Sequence, residues 1–473
     1  MEVSFDEIKE KNTDDACESL SLTQRIAWEK IMDKQNIFVT GPAGSGKSFL
    51  IEFIKKNWEN IGRGGLLGVT STTGVSALNV GGSTLHSYTG IRLGKGTVDE
   101  LKKTIAYNKT GALERIRKVQ TLIIDEVSML SAELFEKLDI LFRHFRSADD
   151  VFFGGVQLVC FGDLCQLPPV NAEFVFTSRM WKTFMRCIIE MSEVFRQTDE
   201  KFVNCLNKLR FGIVNDAEVM KCIKGVIAPG EVADYLVEDE KKEITLKPTV
   251  LISTNRSVDN VNIDEYEKLD TKEHMFEATY STPFKKYRSK IDADSRLLTS
   301  LGLRIGAQVM ITRNHTIGQQ SLVNGHRGVV IDFNKRGFPI VRLLGGTEIA
   351  IPPLRCDYEL LGPKNVMKNF WKKQVPLKLA WAITIHKSQG LTMDSVVSDF
   401  KGIFNAGQGY VALSRVRGID CIKIVNFNLK AFYASKLVVD YYKSLIEKDQ
   451  IIMSDEMKSI LTDKDLHIKQ RCR

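Results

Sequence analysis

The octapeptide Gly41-Pro42-Ala43-Gly44-Ser45-Gly46-Lys47-Ser48 has the spacing of a phosphate-binding loop, with an apolar run before it and a helical pattern after it. Glycines there let the backbone wrap closely around phosphate oxygens, and the helix N-terminus offers unpaired N–H groups. Lys47 adds positive charge, and the Ser48 hydroxyl can ligate Mg²⁺. Further on, Leu122-Ile123-Ile124-Asp125-Glu126 ends an apolar run with two carboxylates, at the strand end that faces the loop in an open α/β sheet. In that position Asp125 would hold magnesium, usually through water, while Glu126 would orient and deprotonate an attacking water. Together these two sites make a nucleoside triphosphatase.

Phosphoryl transfer also needs a group that senses the terminal phosphate and a positive charge on the developing transition state. Gln166 follows the apolar run Gln157 to Phe161, which puts its amide within reach of the γ-phosphate. Arg196 and Arg415 lie far along the chain. They are expected in a second α/β region, reaching the nucleotide only across an interdomain cleft, so that closure is coupled to hydrolysis.

The elements that must carry these residues are legible as alternating βα units on a parallel sheet. Ile37 to Thr40, Leu66 to Thr70, Thr121 to Asp125 and Gln157 to Phe161 read as buried strands. Ser48 to Trp58 places Leu50, Phe53, Ile54 and Trp58 on one helical face, and Ala132 to Phe145 does the same with Leu134, Leu138, Leu141 and Phe145. Later strands are expected at Thr249 to Ser253, Ser395 to Phe400 and Cys421 to Phe427. Between them, short runs at Gln308 to Thr312, Gly328 to Phe333, Ile340 to Leu344 and Glu348 to Ile351 suggest a small β-barrel. Residues 231 to 243 read as a solvated loop or linker.

Composition limits the classes available. At 473 residues, with 43% hydrophobic and 26% charged residues, the chain has the makings of several cores and not of a disordered polymer. Its net charge of +8 permits a polyanionic partner without requiring one. Nine cysteines in no paired-spacing block fit a reducing compartment, and Cys160 and Cys165 read as strand and loop residues, not zinc ligands. No run of eighteen apolar residues exists, and residues 1 to 20 are acidic with no signal-peptide core. The expectation is a soluble intracellular protein of the cytosol, a nucleoid or the nucleus.

Ordered blocks beyond the phosphate loop resemble the PIF (petite integration frequency) helicases, the 5′-to-3′ branch of superfamily 1, related to the bacterial RecD proteins. The blocks are LTQ at Leu22 to Gln24, TSTTGVSALNVGGSTLHSYTGI from Thr70, IIDEVSML from Ile123, FGGVQLVCFGDLCQLPPV from Phe153, FRQ at Phe195, VNG at Val323, LAWAITIHKSQGLTMD from Leu379 and GQGYVALSR from Gly407. The resemblance covers roughly residues 20 to 447. It implies that Gln24 reads the adenine edge, and that Gly41, Gly44, Ser45, Gly46, Lys47 and Ser48 hold phosphates and magnesium. Asp125 and Glu126 would then serve metal and water, Gln166 would sense the γ-phosphate, and Arg196 and Arg415 would be finger arginines. Gly390 would line the same cleft. It also implies that Thr73, Gly74, Thr84, His86, Thr384, His386 and Lys387 contact single-stranded DNA. Ser76 and Leu164-Cys165 depart from the pattern, standing where alanine and larger apolar residues are usual.

Two stretches mix basic and aromatic residues: Phe284-Lys285-Lys286-Tyr287-Arg288 and Lys368-Asn369-Phe370-Trp371-Lys372-Lys373. They suit a strand-stacking surface or a plain solvated face equally. The resulting expectation is an α/β protein with two RecA-like P-loop domains with parallel sheets and a small inserted β-barrel. Its bounds are an N-terminal tail at 1–20, a first domain at 21–190, a second at 191–274 and 373–450, the barrel at 275–372 and a C-terminal tail at 451–473. The expected activity is ATP- and Mg²⁺-dependent 5′-to-3′ unwinding by a monomeric motor, on single strands and on DNA with a 5′ single-stranded tail. A translocase that strips proteins from DNA, a nucleotide-gated recruitment module and, more remotely, a small-molecule kinase are the alternatives.

Overall fold

The apolar runs of the first half form strands whose two faces are both covered. The computed structural model describes residues 19–469, apart from 61, 93, 108–110, 237–245, 296, 314, 323–324, 344, 362–366 and 464–465. Strands β1 (Ile37–Thr40), β2 (Leu67–Ser71), β3 (Ser83–Thr84), β4 (Thr121–Asp125), β5 (Gln157–Phe161) and β6 (Cys187–Glu190) join a seventh, Ile451–Ile452, in one parallel sheet. Its order is Ile451–Ile452, β6, β1, β5, β4, β2, β3, so β1 sits beside β5 in the interior. Alternation along β4 shows why the run is apolar throughout: Leu122 and Ile124 enter the core on one face and Ile123 the core on the other. On the Ile123 side lie helices α1 (Leu22–Met32) and α2 (Lys47–Asn60), which bring Trp28, Leu50, Ile54 and Trp58 against β1. The opposite face is filled by Ala132–Phe145, Lys436–Glu447 and Asp455–Thr462.

The chain divides into two compact units, one holding the phosphate loop and comprising the described residues up to Ile227, Ile403–Ile422 and those from Phe427 on. This differs from the expected bounds, which gave residues 191–227 and most of 403–450 to a second domain. Packing explains the difference: Val438, Val439, Tyr442 and Leu445 of Lys436–Glu447 are buried in the same core as Leu122 and Leu158. The segment expected to be a C-terminal tail is likewise built in. Ile451 pairs with Ile188 and Ile452 with Ile189, and Met457, Ile460 and Leu461 are buried behind them.

The other unit spans Ala228–Gly402 with Lys423–Asn426. Its four-stranded sheet runs Ala382–Thr384, Thr249–Ile252, Val396–Asp399, Ile422–Val425, with Thr249–Ile252 parallel to both neighbours. The short strands expected as a barrel are antiparallel and ordered Glu348–Ala350, Pro339–Leu343, Arg327–Phe333, Gln308–Ile311, Leu377–Leu379. Among the described residues no pairing joins the two ends, so the sheet is open. Val250 and Val397 of the parallel sheet share one core with Val309, Val330 and Val341, which makes the antiparallel strands part of this unit, not a separate domain. Much of the expected linker at 231–243 falls outside the described residues.

Candidate nucleotide and nucleic-acid sites

At the end of β1 the loop turns through Gly44 and Gly46, at φ of +87° and +83°, into α2. A β-carbon on Gly44 would strike Arg196, and one on Gly46 would strike the Gln24 amide, so both side chains pack directly on the loop. Gln24 caps its own helix with Ser21, accepting from Ser21 N through Oε1 at 2.9 Å, and its Nε2 lies 3.4 Å from the Gly46 carbonyl. Lys47 folds back, donating to the carbonyls of Gly41 and Pro42 at 2.8 Å each and to Ser45 Oγ at 3.1 Å. Burial lowers its pKa to about 8, against the opposing pull of Asp163, Glu126 and Asp125. Ser48, in the first turn of α2, is exposed.

The two carboxylates stand at the end of β4 as expected. Asp125 is 4% exposed, accepts from the Ser76 hydroxyl, and has its pKa raised by burial. Glu126 takes a left-handed φ of +55°. Thr72 Oγ1 donates to its carbonyl at 2.7 Å, which ties the end of β2 to the bend. Ser76, a departure from the family pattern, therefore touches the candidate metal ligand.

Gln166 is buried. Its Nε2 is 3.5 Å from Asp163 Oδ2, the outer limit of a hydrogen bond, and its Oε1 has no partner among the described residues. Asp163 was not singled out by sequence reasoning, though it lies in the quoted GDLCQ block. Arg210 donates to it at 3.0 Å and to Glu190 Oε1 at 2.5 Å, all three fully buried beneath the loop. No local pattern could have joined Asp163, Glu190 and Arg210, because the pairing depends on how β5, β6 and Glu200–Arg210 pack.

Both arginines lie in the phosphate-loop unit, which corrects the expectation that they belong to a second domain across a cleft. Arg196 Nη1 donates to the carbonyl of Ser414 at 2.9 Å, and Gln197 Nε2 donates to that of Val416 at 2.8 Å, bracketing Arg415. Arg415 is buried and donates to Val411 O and Ser414 Oγ, each at 2.8 Å. Burial first, then the neighbouring Arg415, lowers the Arg196 pKa to about 9, and Glu126 acts electrostatically on both guanidinium groups. A further residue was missed: Tyr410 OH accepts from the backbone N–H of Ala43 in the loop at 2.9 Å. A β-carbon on Gly407 would meet the carbonyls of Cys165 and Gln166. Tyr410 and Gly407 thus dock Gln408–Leu413 on the phosphate loop and on the Gln166 turn.

The nucleic-acid candidates form two local structures of one kind. Thr84 ends β3 and caps Leu85–Thr89, accepting from Ser87 N at 3.2 Å; Thr384 ends its strand and caps Ile385–Ser388, accepting from Lys387 N at 3.2 Å. In each, the next residue (Leu85 or Ile385) is fully buried and the histidine after it is half-buried, its pKa lowered by burial. Thr73 Oγ1 caps Gly74–Asn79 by accepting from Ser76 N at 3.2 Å. Lys387 donates to Asn255 Oδ1 at 3.1 Å. Thr384, His386, Lys387 and Gly390 all belong to the second unit.

A family model described as PIF1-like helicase matches residues 19–219. The chain is 35% identical over 457 residues to the ATP-dependent DNA helicase PIF1 of Danio rerio, covering 94% of this chain and 66% of that protein. It thus spans about two thirds of that relative's length. The crystal structure of the Pif1 helicase from Candida albicans matches with a TM-score of 0.78 and 32% identity, covering 90% of this chain and 99% of that one. The Bacteroides Pif1 helicase in complex with ADP-AlF3 and ssDNA matches with a TM-score of 0.67 and 26% identity, over 91% and 98% of the two chains. With the loop, the paired acids and the docked arginine segment all in place, the chain belongs to the PIF1-like helicase family.

Proposed function

We propose that the chain is an ATP-dependent DNA helicase that moves 5′ to 3′ along single-stranded DNA and opens duplexes that carry a 5′ single-stranded tail. One observation carries the reading. Lys47, Asp125, Glu126, Arg196 and Arg415 belong to one compact unit, where the carboxylates act on Lys47 and Glu126 acts on both arginines. The relatives' names and the ADP-AlF3 and ssDNA neighbour support it.

Lys47 and the loop N–H groups neutralise the phosphates, and the Gln24 amide, already on the loop, reads the base edge. Magnesium would be held by Ser48 and Asp125, where it would supply positive charge to the phosphates. The site fits that ion, since both the Ser48 hydroxyl and the Asp125 carboxylate are oxygen donors. Magnesium keeps several waters and binds through one or two carboxylates plus phosphates. Glu126 orients and deprotonates water, Gln166 senses the terminal phosphate, and Arg196 and Arg415 stabilise the charge that develops on it.

The threonine-capped turns at Thr84 and Thr384 offer hydroxyls, backbone N–H groups and uncharged imidazoles to phosphate oxygens. Such contacts hold a strand without reading its sequence. Thr73 and Gly74 would add to the contacts of the phosphate-loop unit and Lys387 to those of the other unit, and the protein acts where DNA is kept, in a nucleus or nucleoid. Strand displacement on 5′-tailed and 3′-tailed duplexes tests the proposal: only the 5′-tailed duplex should open. Opening of the 3′-tailed duplex alone would overturn the polarity, and absence of DNA-stimulated ATP hydrolysis would overturn the motor.

A further inference from the structure

The helix Lys285–Asp294 in the second unit is built against the usual rules of helix stability. Its N-cap is Phe284, which makes no side-chain capping bond, and no acid stands in its first turn. Lys285 and Lys286 occupy that turn, where the helix dipole repels positive charge. Lys286 and Lys290 form a like-charge i, i+4 pair. Elsewhere in the chain Ser21, Thr97, Ser131, Asp199, Asp216 and Ser454 cap their helices with side-chain oxygens. Violations of this kind concentrate where function demands them.

Burial shows which way the charges point. Ile291 is buried and Tyr287 is half-buried on Phe370, ring centroids 4.9 Å apart, whereas Lys285, Lys286, Arg288 and Lys290 are exposed. None of these four cations makes an ion pair among the described residues. One acid of the same helix is already neutralised: Asp292 accepts from Lys372 Nζ at 2.7 Å and from Tyr280 OH at 2.7 Å. Beside the cations Phe284 is 65% exposed. The side chain of Lys368 lies outside those described.

We infer that this face is an accessory site for single-stranded DNA, separate from the threonine-capped turns and resting on the helicase reading. Phosphates would lie along Lys285, Lys286 and Lys290, and Phe284 would provide a platform for one base. Single strands are favoured over duplex because the exposed aromatic ring offers a stacking face that paired bases do not reach.

The test is a triple charge reversal, Lys285→Glu with Lys286→Glu and Lys290→Glu, beside Phe284→Ala, in the full chain. Binding to a long oligo(dT) is measured across a salt series. For the triple variant, the slope of log affinity against log salt should flatten by about 2, from three phosphate contacts at roughly 0.7 each. Phe284→Ala should weaken binding several-fold at every salt. ATP hydrolysis saturated with a short oligo(dT) should stay unchanged, and melting temperature should hold or rise, since acids suit a helix N-terminus. An unchanged slope, a lowered melting temperature, or a loss confined to blunt duplex would overturn the site and leave the motor intact. A wild-type chain without DNA-stimulated hydrolysis would instead overturn the helicase reading beneath it.

Discussion

Burial draws charge away from Lys47 while Asp163, Glu126 and Asp125 restore it, leaving its pKa at about 8. Lys47 is charged below that value and neutral above it, so ATP affinity should weaken as pH rises through about 8, measured by nucleotide titration at fixed Mg²⁺. Lys47→Arg should remove this limb, and Lys47→Ala should lower turnover by at least a hundredfold. The Ser76 hydroxyl favours the charged form of Asp125, opposing the burial that raises its pKa. Ser76→Ala, which installs the residue more usual in the family, should therefore raise that pKa further. The acid limb of the pH–rate profile should move to higher pH. Tyr410→Phe keeps the ring but leaves the buried Ala43 N–H without its acceptor, which should cost about 1–3 kcal/mol in denaturant unfolding.

At the scale of elements, Thr121–Asp125, Gln157–Phe161 and Ala132–Phe145 take the bounds their patterns predict. Continuous apolar runs admit little but a strand covered on both faces, and a 3.6-residue stripe admits little but a helix. The C-terminal segment was illegible for the opposite reason. Ile451–Ile452 is a two-residue strand with no periodicity, and Asp455–Thr462 mixes charges with three apolar residues. Only the packing of Met457, Ile460 and Leu461 shows that they complete the sheet. Leu461→Ala should accordingly destabilise the protein by about 2–5 kcal/mol, read by chemical denaturation, where a frayed tail would show no change.

For the whole molecule, the phosphate loop and the acid pair were legible because each is contiguous in sequence and sits at a strand end. The buried Asp163–Arg210–Glu190 cluster and the Tyr410–Ala43 bond were not, since each joins residues that meet only after folding. The same holds for the placement of Arg415, where distance along the chain suggested a separate domain.

The phosphate-loop unit is drawn from three lengths of chain, the last two emerging after the whole of Ala228–Gly402. A nascent polypeptide released up to residue 400 already carries Lys47, Asp125 and Glu126, yet has neither Tyr410 to engage Ala43 nor Arg415. Synthesis order therefore completes the phosphate-loop unit last, when the segment that docks on the loop leaves the ribosome.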